Sequence, residues 1–92
     1  MSAGGVMVIL DGSRMTDREA LWDYLKEILP VHDYFGRNLD ALYDELTEYR
    51  KPLIIKLVGR EQMEAFLGRY GEMLIDTFLD AAKENGYLDV QI

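Results

Sequence analysis

Hydrophobic positions follow two rhythms along this chain. Val6, Met7, Val8, Ile9 and Leu10 form an unbroken apolar run closed by the turn pair Asp11-Gly12, which predicts a strand buried on both faces in the middle of a parallel sheet. Leu53, Ile54, Ile55, Leu57 and Val58 follow as a second strand after Lys51-Pro52. Leu88, Val90 and Ile92 alternate with Asp89 and Gln91, as an edge strand with one polar side would.

Between these runs the apolar period changes to that of a helix. Thr16 with Glu19 makes a capping box, after which Leu21, Trp22, Leu25, Ile28 and Leu29 recur on one face until Pro30. Trp22, at that spacing, is expected in the core rather than on a ligand platform. Asn38 is placed to cap a second helix from Leu39 to about Thr47. Met63, Phe66 and Leu67 mark a third, closed by Gly68. Beyond Gly71, Leu74, Ile75, Phe78, Ala81 and Ala82 define a fourth, for which Asn85-Gly86 supplies a left-handed cap.

Strands separated by helices need crossover connections. The expected architecture is therefore α/β: a three-stranded parallel sheet packed with about four helices through right-handed βαβ units, the first strand in the middle and the last at an edge. Residues 1–5 show no periodicity and read as a flexible N-terminus or a remnant of expression cloning, with residues 6–92 as one domain.

Composition narrows the functional classes. Among 92 residues there is no cysteine, so nothing points to an oxidising compartment and a cytoplasmic protein is expected. The longest apolar stretch, Val6 to Leu10, falls short of the roughly 18 residues a membrane span needs, and no basic segment precedes it. Neither a membrane nor export is expected. Seventeen acidic residues against ten basic ones give a net charge of -7, which repels polyphosphate. Direct nucleic-acid binding is disfavoured. The charge suits a basic protein partner or a cationic ligand, or serves solubility alone.

Where the charges sit is more telling. On the second helix Leu39, Leu42 and Leu46 share one stripe, while Asp40, Tyr43, Asp44 and Thr47 share another at i, i+3, i+4, i+7 spacing. The second stripe sets two carboxylates one turn apart beside an aromatic ring. Like charges at that spacing cost a few tenths of a kcal/mol, which an external cation would relieve. An ordinary solvated face has the same composition. The preceding loop adds Tyr34 and Phe35, aromatic types enriched at binding hot spots. Tyr34 can offer both a ring and a hydroxyl to a partner, whereas Phe35 also suits a core.

The run Tyr34-Phe35-Gly36-Arg37-Asn38-Leu39-Asp40-Ala41-Leu42-Tyr43-Asp44 closely resembles the loop and inhibitory helix of the barstar family of intracellular ribonuclease inhibitors. The order of strands and helices agrees along nearly the whole chain from Val6. The resemblance implies a barstar-like fold and a partner surface comprising Tyr34, Gly36, Asn38, Asp40, Tyr43, Asp44, Thr77 and Asp80. It also implies that Asp44 takes the place of an RNA phosphate in the cleft of a basic, extracellular-type ribonuclease. No cofactor or metal is implied, and a monomer is expected when free. The chain departs from the family at several positions. The family has tryptophan where this chain has Tyr43, a second tryptophan at Tyr49, glutamate at Asp80, and small or apolar residues at Glu45 and Glu48. The departures bear on which partner is recognised, and a barstar-fold module for a basic partner that is not a ribonuclease is the alternative.

Enzymatic chemistry finds little to use. Asp40 and Asp44 are paired carboxylates, but His32 is the only histidine, Ser13 lies in an expected turn and no cysteine exists. A Mg2+ or Ca2+ site at Asp40 and Asp44 would need further oxygen ligands for which no spacing is evident. A non-enzymatic protein is expected.

Overall fold

A computed structural model of the chain describes residues 5–30 and 36–92. Its elements are β1 (Val6–Asp11), a 3-10 turn (Gly12–Arg14), α1 (Arg18–Ile28), α2 (Leu39–Glu48), β2 (Leu53–Val58), α3 (Arg60–Leu67), α4 (Arg69–Glu84) and β3 (Leu88–Gln91). The strands form one parallel sheet in the order β1-β2-β3, with Val8 opposite Ile55 and Leu53 opposite Leu88.

The α/β architecture agrees with expectation, and the strand order does not. β2, not β1, is central, and β1 is buried on one face only: Val8 and Leu10 point inward while Met7 and Ile9 are 54% and 51% exposed. The reason is topological. Right-handed crossovers that step along a sheet in one direction place every helix on the same face. A strand order with β1 in the middle would have wound helices onto both. Val8, Leu10, Leu53, Ile55, Leu57 and Leu88 accordingly face the helices, and Lys56, Val58, Asp89 and Gln91 face outward. An unbroken apolar run cannot tell these windings apart.

Leu21, Trp22, Tyr24, Leu25 and Leu29 from α1 and its C-cap, Leu42 and Leu46 from α2, Met63 from α3, and Leu74, Ile75, Phe78 and Ala81 from α4 fill the space above the sheet. Trp22, 4% exposed, belongs to the core as its spacing predicted. Phe66 does not, and lies on the exposed side of α3.

Three helix boundaries differ from the sequence reading. α1 is capped by Asp17, whose Oδ1 accepts the Ala20 N–H at 2.8 Å, rather than by Thr16. α4 begins at Arg69 and carries Gly71 inside it, because a Cβ there would lie 2.6 Å from the Met63 sulfur where α3 crosses. Asn85 ends α4 in an extended conformation, and neither it nor Gly86 is left-handed. Among the described residues the glycines with positive φ are Gly59, which enters α3 in the left-handed conformation, and Gly68, which leaves it.

Candidate partner-binding site

The surface begins with α2 and what holds it. Asn38 ends the approach to the helix in an extended conformation, and its Oδ1 accepts the Ala41 N–H at 2.8 Å. Gly36 lies close under this cap, so that a Cβ there would stand 3.1 Å from Asn38 Nδ2 and 3.2 Å from Ala41 Cβ. Between them Arg37 reaches back to α1, pairing with Asp23 and donating to the Glu19 carbonyl. Leu42 and Leu46 are wholly buried, which fixes the rotation of the helix and turns Asp40 and Asp44 to solvent. The two-stripe reading of α2 is thereby observed, with Tyr43 and Thr47 half-buried between the stripes.

α4 packs alongside α2 and completes the surface. Asp80 and Glu84 are exposed on it, and Thr77 is half-buried, its hydroxyl donating to the Met73 carbonyl at 2.8 Å. Tyr43 marks where the two helices meet. Partial burial, and after it the carboxylates of Glu84, Asp80 and Asp44, hold its phenol above the ordinary tyrosine value of 10.0. One ring thus feels acids from both helices. Among the described residues Asp40, Asp44, Asp80 and Glu84 form no ion pair or side-chain hydrogen bond. By contrast Asp17 caps a helix, Asp23 pairs with Arg37, and Asp11 is held by Ser13.

The charge on α2 also opposes its own dipole. Asp40 in the first turn is favourable, but Glu48 lies at the C-terminal end, where the last turn holds no basic residue and Arg50, just past the helix, donates to the Thr47 carbonyl. Asn38 and Asp40 border an open groove whose other walls include Trp22, Leu39 and Met73, and Arg18, which stacks 3.8 Å over the Tyr70 ring. Among the described residues no group of three or more acidic or histidine side chains is placed to hold a metal ion, and no helix is long and apolar enough to cross a membrane.

Of the residues singled out by sequence, Gly36, Asn38, Asp40, Tyr43, Asp44, Thr77 and Asp80 are placed on α2, its approach and the adjoining helix α4. Tyr34, with Phe35 and His32, lies outside the described residues. Glu84 was missed, although its position four residues after Asp80 puts it on the same face of α4.

Residues 6–91 match the family model described as Barstar (barnase inhibitor). The chain belongs to the barstar family. It is also 40% identical over 78 residues to the Bacillus subtilis (strain 168) protein named "Putative ribonuclease inhibitor YrdF", the match covering 84% of this chain and 86% of that protein. The resemblance read from the loop and second helix is therefore a family relationship extending along the sheet and all four helices. Membership in the barstar family supports a ribonuclease-inhibitor-like role.

Proposed function

We propose that the chain inhibits a basic ribonuclease of the extracellular type by placing the acidic face of α2 and α4 in its active-site cleft. The observation that carries this reading is the packing of α2 against α4, which leaves Asp40 and Asp44 exposed on one helix and Asp80 and Glu84 exposed on the other. A ribonuclease cleft must be cationic to hold phosphate and to stabilise the charge that develops during cleavage. Carboxylates preorganised on a packed helix can engage the same arginine and lysine side chains through charge-assisted hydrogen bonds. Asp44, exposed and two positions past the buried Leu42, occupies the phosphate position in this account. Asp40 flanks it one turn earlier, Asp80 and Thr77 contact the cleft from α4, Tyr43 supplies ring area, and Gly36 and Asn38 shape the entry. Tyr34 joins them by family resemblance.

The inhibitor acts as a monomer in the cytoplasm, stands in for the charge of the substrate and does no chemistry itself. Tyr43, Glu45, Glu48 and Asp80 tune which ribonuclease is recognised, being among the positions where the chain departs from its family. Capture of tagged protein with its partner from the source cells, followed by a ribonuclease assay of the recovered basic protein, tests the proposal. Ribonuclease activity that is suppressed stoichiometrically supports it. A basic partner without such activity would favour a barstar-fold interaction module instead.

A further inference from the structure

Asn85 is 2% exposed, the single buried polar residue among those described, and every hydrogen-bonding group it has is used. Its backbone N–H donates to the Ala81 carbonyl as the last bond of α4, and its carbonyl accepts from Leu88 N–H at the start of β3. The side-chain Oδ1 accepts the Tyr87 N–H at 3.0 Å. Its Nδ2 donates twice across the molecule, to the carbonyls of Leu46 at 2.9 Å and Tyr49 at 2.7 Å.

Those two carbonyls belong to the end of α2. A helix C-terminus leaves its last carbonyls without partners, and a glycine beyond it commonly supplies the closing bonds. α2 has no such glycine: Tyr49, Arg50, Lys51 and Pro52 follow it, and Tyr49 is extended. Arg50 takes the Thr47 carbonyl, and Asn85 takes those of Leu46 and Tyr49. The cap of α2 therefore comes from the end of α4, 36 residues after Tyr49.

We propose that Asn85 is a positioning residue that sets the acidic stripe of α2 against the carboxylates of α4 by capping α2 from the end of α4. Leu42 and Leu46 fix the rotation of α2, and Asn38 with Arg37 fixes its first turn. Asn85 fixes the last turn, and it does so from the helix that bears Asp80 and Glu84, the latter its immediate neighbour. An asparagine amide suits the task because its two N–H groups diverge toward two acceptors while its oxygen accepts a third bond. Its importance for inhibition rests on the proposed function, whereas the juxtaposition itself does not.

The test reads the juxtaposition directly through the Tyr43 phenol, followed by NMR in tyrosine-labelled protein and assigned with Tyr43→Phe. Dispersed methyl signals in the same samples confirm that the protein is folded. In Asn85→Ala the Tyr43 titration is expected to move down toward the ordinary tyrosine range, since both water entry and retreat of the α4 carboxylates act in that direction. Val8→Ala, a core truncation in β1, is the control and should destabilise while leaving that titration in place. If Asn85→Ala does not fold, Asn85→Ser, which keeps one donor, is read in the same way. A Tyr43 titration unchanged in the folded Asn85 variant, or moved equally by Val8→Ala, would overturn the proposal. Neither result depends on a ribonuclease, so the proposed function can fail or stand separately.

Discussion

Arg37 and Asp23 pair at 2.9 Å across the gap between α1 and the approach to α2, with side chains 43% and 68% exposed. An ion pair so open to water contributes about 0 to 1 kcal/mol. The Arg37 cation nevertheless stands within a surface proposed to enter a cationic cleft. Arg37→Ala should change stability by less than about 1 kcal/mol in denaturant melts and should quicken, not slow, association with the ribonuclease in stopped-flow measurements.

Leu42 and Asp44 lie two positions apart on α2 and answer to different demands. Leu42 is wholly buried, so Leu42→Ala should cost about 2 to 5 kcal/mol of stability through the cavity it opens. Its affinity per folded molecule should stay near that of the parent. Urea melts combined with titrations corrected for the folded fraction separate the two quantities.

The titration of Tyr43 bears on stability at high pH. Its phenol is raised above 10.0 in the folded protein, so the neutral form is favoured there. The associated stability is fully present below the ordinary tyrosine value and is lost as pH rises through the higher folded value. At the acid end the opposite sign applies to Asp11. Bonds from the Ser13 hydroxyl and backbone N–H hold its carboxyl below 3.8, giving stability that is present above that value and lost as pH falls through the lower folded one. Melting temperature against pH should therefore fall less steeply above pH 10 in Tyr43→Phe, and less steeply below 3.8 in Asp11→Asn, than in the parent.

Much of this architecture is legible in the residues, for identifiable reasons. The leucines of α2 specify its buried face so strongly that the opposite face follows, and Asn38 marks the start of the helix without ambiguity. Strand order was not legible because Val6 to Leu10 is apolar on both sides, while only the crossovers decide which side is covered. The role of Asn85 was hidden for a different reason. Beside Gly86 it reads as a left-handed helix cap, and its partners Leu46 and Tyr49 are remote in sequence, offering only backbone carbonyls that carry no side-chain signature. Asp17 displaced Thr16 as the cap of α1 because both are good caps at adjacent positions.

Long-range charge should govern how fast the complex forms. With a net charge of -7 and the exposed carboxylates of Asp40, Asp44, Asp80 and Glu84 on α2 and α4, association with a basic ribonuclease should slow steeply between low and physiological salt, as screening shortens the reach of the field. Dissociation should change far less. A rate constant for association that stays flat over this range would assign the interface to apolar contact.

The most direct measurement is inhibition of the partner ribonuclease by Asp44→Ala beside the parent protein. Asp44 is exposed and forms no ion pair among the described residues, so its removal should leave the denaturant midpoint nearly unchanged or slightly raised through relief of repulsion with Asp40. Inhibition should weaken about thirtyfold or more, the loss expected when a central binding residue is truncated. An Asp44→Ala protein that is fully folded and inhibits as tightly as the parent would contradict the account, because phosphate mimicry by this helix would then have no carboxylate at its centre.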